Sequence, residues 1–174
     1  MTIWADGDSL QAELRRVLCR RANAEAEAAL RQGRVARYKA VFVAARRIEL
    51  EAGPGAELVL VEGGPDAADD RIASLAAPGD LAVTRDLPLA ERLALAGLVV
   101  LNDRGLCFDA DGARERRSLR DRAAELRSLG LAPEMPRARG WGPRELKAFA
   151  DALDRALARA TAPGRPPSES SFGR

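Results

Sequence analysis

Apolar residues fall along this chain in short unbroken runs, each followed by a polar turn and then by a stretch with helical spacing. Five runs read as strands: Thr2 to Ala5, Ala40 to Ala44, Leu58 to Val61, Asp80 to Thr84 and Leu98 to Leu101. Within them there is little alternation of apolar and polar positions, the pattern of parallel strands covered on both faces. Leu10, Leu14, Val17 and Leu18 recur at helical spacing, with Ser9 placed to cap that helix. The helix continues or restarts through the alanine-rich 24–31 and stops at Gly33. A short helix is predicted over 69–75, ended by Pro78-Gly79, and another from about Pro88 to Ala96, where proline suits a first turn. Residues 45–57, with Gly53-Pro54-Gly55, read as an irregular connection. Alternating strands and helices predict an α/β fold, a mostly parallel Rossmann-like sheet with helices on both faces.

Beyond residue 112 the pattern changes. Leu119, Ala123 and Leu126 form an amphipathic stripe ending at Gly130, and Pro133 and Pro136 mark a linker. Gly142-Pro143 opens a helix with Leu146, Phe149, Leu153 and Leu157 on one side. These are expected to be C-terminal helices packed back on the sheet, giving one domain over 1–161. The Pro, Gly, Ser and Arg of 162–174 are expected to form a disordered tail.

Composition narrows the chemistry. No run of about 18 apolar residues is present, so no membrane span is expected. No basic segment followed by an apolar one opens the chain, and a cytoplasmic location is expected. The two cysteines, Cys19 and Cys107, lack metal or redox spacing and are expected to be buried small hydrophobes, as Trp4, Trp141, Phe42, Phe108 and Phe149 are expected to be packing residues. The sequence has no histidine, which removes Ser-His-Asp and Cys-His catalysis and the usual zinc sites. Charge is uneven: 18 acidic and 14 basic residues precede residue 112, and 8 acidic and 14 basic follow from it. A basic flank beside an acidic region suits a polyanionic partner, RNA or another single-stranded nucleic acid, although arginine-rich helices also simply solvate their outer faces.

The candidate chemistry is carboxylate chemistry. Asp6 and Asp8 follow the first strand, Asp66, Asp69 and Asp70 the third, Asp86 the fourth and Asp103 the fifth. Converging carboxylates repel one another, so such a group raises its own pKa values or binds a hard cation, Mg²⁺ or Mn²⁺. Local uses compete with this reading, because aspartate is common in turns and caps; Asp80 and Asp103 look the most turn-like. Asp6, Asp8 and Asp86, each directly after an apolar run, are the catalytic candidates, and with Asp66 and Asp69 they are the metal-ligand candidates. Thr84 and Arg104 lie where they could touch a phosphate, and Arg104 could equally pair with a neighbouring acid.

The opening Met1-Thr2-Ile3-Trp4-Ala5-Asp6-Gly7-Asp8 resembles the start of the YaiI/YqxD family of uncharacterised bacterial proteins. The resemblance continues through Asp66-Ala67-Ala68-Asp69-Asp70-Arg71-Ile72, Gly79 to Ala90 and Leu101-Asn102-Asp103-Arg104-Gly105, with echoes at Leu126 to Gly130 and around Phe149. It implies a PIN-like α/β fold related to metal-dependent nucleases, with Asp6, Asp8, Asp66, Asp69 and Asp86 at the acidic positions. The chain departs from the family's Asp-Ala-Asp-Ala-Cys-Pro at Asp6-Gly7-Asp8-Ser9-Leu10-Gln11, lacks the basic, proline-containing loop within 45–57, and carries Asp103 where a smaller residue is usual. The expected function is divalent-metal-dependent phosphodiester hydrolysis, RNA favoured. The alternatives are a non-catalytic nucleic-acid or protein binding module and, below it, a phosphatase using Asp6 as nucleophile and Asp8 as acid.

Overall fold

The computed structural model describes residues 1–64, 66–108, 112, 118 and 142–161. The stripe of 119–130, Trp141 and the tail of 162–174 lie outside the described residues. Strands β1 (Thr2–Asp6), β2 (Lys39–Ala44), β3 (Ala56–Leu60), β4 (Leu81–Val83), β5 (Val99–Leu101) and β6 (Cys107–Phe108) form one sheet in the order β3-β2-β1-β4-β5-β6. The first five are parallel, and β6 returns antiparallel to β5. The sixth strand is an addition to the five expected from the apolar runs, because two residues are too few to show a period.

Helices α1 (Ala12–Arg31), α2 (Ala67–Leu75), α3 (Leu87–Leu95) and α4 (Pro143–Ala160) cover the sheet. One core joins Ile3, Ala5, Phe42 and Val83 to Leu14 and Leu18 of α1 and Phe149, Leu153 and Leu157 of α4. The other joins Trp4, Val41, Val43 and Val100 to Ile72 of α2 and Leu89 and Leu93 of α3. Successive side chains of β1 and β2 thus enter opposite layers, which is why both strands are apolar throughout. This is the α/β arrangement expected, Rossmann-like, with helices on both faces. Among the described residues no helix is long and apolar enough to cross a membrane.

Two local expectations are corrected. Helix α1 starts at Ala12 with Gln11 at its N-cap and no side-chain cap; Ser9 lies before it, its N–H and hydroxyl both turned to Asp6. Of the cysteines, Cys19 is buried but Cys107 is exposed. In β6 Phe108 takes the core side, so its neighbour must face out.

The connection from β2 to β3 has no helix and lies against α1. Asn23 fixes it, donating from Nδ2 to the Ala52 carbonyl at 3.2 Å and accepting from the Gly55 N–H at 2.9 Å. The chains approach so closely that a Cβ on Gly55 would stand 2.1 Å from the Ala22 carbonyl oxygen. Glu25, also buried, accepts from Arg34 at 2.6 Å and from the Arg37 guanidinium at 2.8 Å, closing the turn into β2. Those two arginines hold its carboxyl well below the usual carboxylate range.

Gly55→Ala is expected to cost about 3 kcal/mol, the upper range for overpacking, because backbone cannot yield as a side chain does. Gly64→Ala, where an added Cβ meets nothing within 4 Å, should stay within about 0.5 kcal/mol of wild type. Urea denaturation of the two variants checks this, and equal stabilities would refute the contact.

Candidate functional site

The five parallel strands end on one edge, and the order β3-β2-β1-β4-β5 puts the end of β1 in its middle. The chain passes from β1 through α1 to β2 on one face and from β3 through α2 to β4 on the other, so β1 and β4 flank a topological switch point. Ligand crevices of open α/β sheets form at such points. Asp6 leaves β1 there, Thr84-Arg85-Asp86 leave β4 beside it, and the start of α2 brings Asp66 and Asp69.

Asp6 is only 4% exposed. Its Oδ1 accepts from the Ser9 N–H at 3.3 Å and its Oδ2 from the Thr84 hydroxyl at 2.8 Å. Thr84 Oγ1 in turn accepts from the Asp86 N–H at 2.9 Å, and Ser9 Oγ from the Arg85 N–H at 3.2 Å. Asp86 caps α3, its Oδ1 accepting from the Leu89 N–H at 2.8 Å. The ends of β1 and β4 are thereby locked together through Thr84, which is 1% exposed with its proton committed to Asp6.

Asp69 faces this pair from α2. Its carboxyl is pushed up to about 6, first by burial and then by the charges of Asp6, Asp86, Asp66 and Asp70. A depression of about 280 Å³ opens beside it, lined by Asp66, Asp69, Asp70, Pro88, Leu89 and Arg92, with Arg92 paired to Asp70 at 2.6 Å. Asp6, Asp66 and Asp86 are therefore all close enough for their charges to act on Asp69. Asp8 is turned elsewhere: its Oδ2 accepts from the Ala45 N–H at 2.6 Å and its Oδ1 lies 3.3 Å from Arg46 Nε, across the end of β2. Asp103 pairs with Arg85 at 3.1 Å, and Arg104 is exposed in the turn that follows β5. Asp80 lies at the opposite end of β4, holding the Thr2 N–H and the Trp4 indole N–H.

The donor set is entirely oxygen, which suits Mg²⁺ or Mn²⁺. Among the described residues no three acidic or sulfur groups close into a cage for one ion. The other acids act on Asp69 through their charge.

Residues 22–159 match the family model described as "Uncharacterized BCR, YaiI/YqxD family". The chain belongs to the YaiI/YqxD family. It is 41% identical over 159 residues to a "UPF0178 protein" of Treponema pallidum (strain Nichols), covering 91% of this chain and 82% of that one. It is 38% identical over 159 residues to a "UPF0178 protein" of Myxococcus xanthus (strain DK1622), covering 91% and 95%. A "UPF0178 protein" of Xanthomonas oryzae pv. oryzae (strain PXO99A) is 40% identical over 165 residues, covering 95% and 92%. No solved structure matches the chain.

In this YaiI/YqxD protein, three participants at the edge escaped the sequence reading. Ser9 is read there as the cap of the first helix, and Arg85 and Arg92 are given no role. Arg85 carried a usable signal, since it stands next to Thr84 immediately after an apolar run. Arg92 carried none, because its place depends on how α2 and α3 pack.

The field at Asp69 gives a pH-dependent prediction. A carboxyl with a native pKa near 6 against an ordinary 3.8 makes ionisation costly to the fold, fully so above the native value and not at all below the ordinary one. Asp69→Asn is therefore expected to raise the melting temperature by a few degrees above about pH 6, with the gain vanishing below pH 3.8. Calorimetry across that range checks it, and an equal effect at both ends would mean that the Asp69 carboxyl is not raised in the native state.

Proposed function

We propose that this YaiI/YqxD protein is a divalent-cation-dependent phosphodiesterase acting on RNA. The observation that carries the proposal is the field at Asp69. Burial first, and then the charges of Asp6, Asp86 and Asp66, raise its carboxyl beside the switch point of the sheet. Mutually repelling carboxylates in a crevice are what a hard cation relieves. Asp6, Asp69 and Asp86 would hold Mg²⁺ or Mn²⁺, with Asp66 reached through water. When bound, such an ion supplies an activated water and neutralises charge on a phosphoryl group.

The chain's own residues hold this arrangement in place. Thr84 orients the Asp6 carboxylate through its hydroxyl and, through its acceptor lone pair, sets the backbone that presents Asp86. The cap bond to Leu89 uses one oxygen of Asp86, which leaves the other for a ligand. Asp8, anchored by the Ala45 N–H, positions Arg46 at the rim.

One observation favours a second reading, a binding module on the same scaffold. Every contact of Asp6 and Asp86 just described also serves the fold, fastening β1 to β4 and capping α3. The two readings part on metal. For the phosphodiesterase, millimolar Mn²⁺ is expected to raise the melting temperature of wild type more than that of Asp69→Asn, because a ligand bound only by the native state stabilises it. Cleavage of labelled single-stranded RNA is expected to fall at least about 10- to 100-fold in Asp69→Asn and Asp86→Asn, the loss typical of disturbing even the outer shell of a metal site. Intact RNA with wild-type protein and Mn²⁺, together with an unshifted melt, would leave the binding module.

A further inference from the structure

The strand-end edge carries arginines as regularly as acids, and the sheet order arranges the two. Arg46 and Arg47 follow β2 on one side of the β1 terminus, while Arg85 follows β4 and Arg104 follows β5 on the other. The Asp6 and Asp8 carboxylates lie between them. Two of these arginines reach sideways along the edge. Arg46 crosses from the end of β2 to Asp8 after β1, at 3.3 Å, and Arg85 crosses from β4 to Asp103 after β5, at 3.1 Å. From the β2 end to the β5 end is three interstrand spacings, roughly 14 Å at about 4.8 Å each. A row of guanidinium groups on that scale matches the repeated charge of an extended sugar-phosphate backbone.

We infer that Arg46, Arg47, Arg85 and Arg104 form a track for the phosphate backbone of a single-stranded nucleic acid, laid across the strand ends with the acids at its centre. This deepens the phosphodiesterase reading and rests on it for the orientation of the strand over Asp6 and Asp86. Guanidinium is suited to the role, because it stays charged and grips phosphate oxygens in pairs. The existing pairs do not prevent it. Arg46 is 75% exposed and Arg85 47% exposed. Their partners Asp8 and Asp103 are more buried, at 29% and 14% exposed, so the pairs stay in place, and each guanidinium, with five N–H donors, grips phosphate through those its aspartate does not use. With Asp66, Asp69 and Asp70 added, acids outnumber these arginines at the edge, so the track is expected to accept a polyanion only when a divalent ion is present or an acid is neutralised. Backbone contacts of this kind carry no base specificity.

Fluorescence anisotropy with a labelled single strand of about 12 nucleotides, within the site sizes of such grooves, tests the track on the full chain. It is run with millimolar Ca²⁺, and again on Asp86→Asn protein with Mg²⁺. Removing Arg47 and Arg104, singly and together, by change to alanine is expected to weaken binding of every sequence alike. The slope of log affinity against log salt should fall by about 0.7 for each arginine removed. Arg159→Ala is the control: it lies near the far end of α4, beyond the Asp154–Arg21 pair, and should leave the slope unchanged. RNA, DNA and duplex arms identify the source of the phosphates, and preference for a duplex would overturn the single-strand assignment. Absence of binding under both conditions, or an Arg159→Ala loss as large as that of the track, would overturn the inference itself. Cleavage plays no part in the readout. A protein that binds through the track but does not hydrolyse RNA would refute the phosphodiesterase and leave the track standing.

Discussion

A carboxylate buried at the end of a fully buried strand must find donors, and most of this edge follows from how Asp6 finds them. Taking a charge out of water without partners is prohibitive. Asp6 is satisfied by one donor from the segment that follows it, the Ser9 N–H, and one from the neighbouring strand, the Thr84 hydroxyl. The second bond ties β1 to β4 at the place where the winding direction of the described sheet changes. Because Thr84 also receives the Asp86 N–H, the same bond sets the start of α3. Asp69 then arrives from α2, and burial first, with the charges of Asp6 and Asp86 added, raises its carboxyl pKa. Fold stability and site electrostatics therefore meet at one hydroxyl.

Away from that edge the molecule relies on close approach and paired charge. The irregular β2–β3 connection takes the place of a covering helix by lying directly on the backbone of α1 at Ala22 and Asn23, which only glycine at position 55 permits. Glu25, buried on α1, is made tolerable by Arg34 and Arg37 from the turn that leads into β2. Both devices position β2, whose terminus carries Arg46 and Arg47 to the rim. The same edge thus presents hard oxygen donors at its centre and guanidinium groups to either side.

The family supplies no activity of its own, so chemistry has to be read from the geometry. Belonging to the YaiI/YqxD family accounts for the ordered blocks from Asp66 to Gly105, and the segment Gly7-Asp8-Ser9-Leu10 falls beside the site. Gly7 lies against Ile48 and Ala44, where an alanine Cβ would come within 2.7 Å of the end of the Ile48 side chain. Ser9, in the same segment, supplies one of the two donors to Asp6.

Strand positions, the parallel sheet and the placement of acids at strand ends were legible in the sequence, because an unbroken apolar run followed by a turn is a local pattern with a direct physical cause. Among the described residues, five of the six strands and the starts of α2 and α3 were visible to within two residues. The two-residue β6, the outward-facing Cys107 and the true partner of Ser9 were not, since each depends on what packs alongside. The same holds within the site. Sequence could name Asp6, Asp8, Asp66, Asp69 and Asp86 as one group, but only the tertiary structure separated them, gathering four beside the switch point and turning Asp8 to Ala45 and Arg46. Local propensity fixes where a strand ends. Which neighbours a carboxylate meets there is decided by strand order and by the donors that burial obliges it to find.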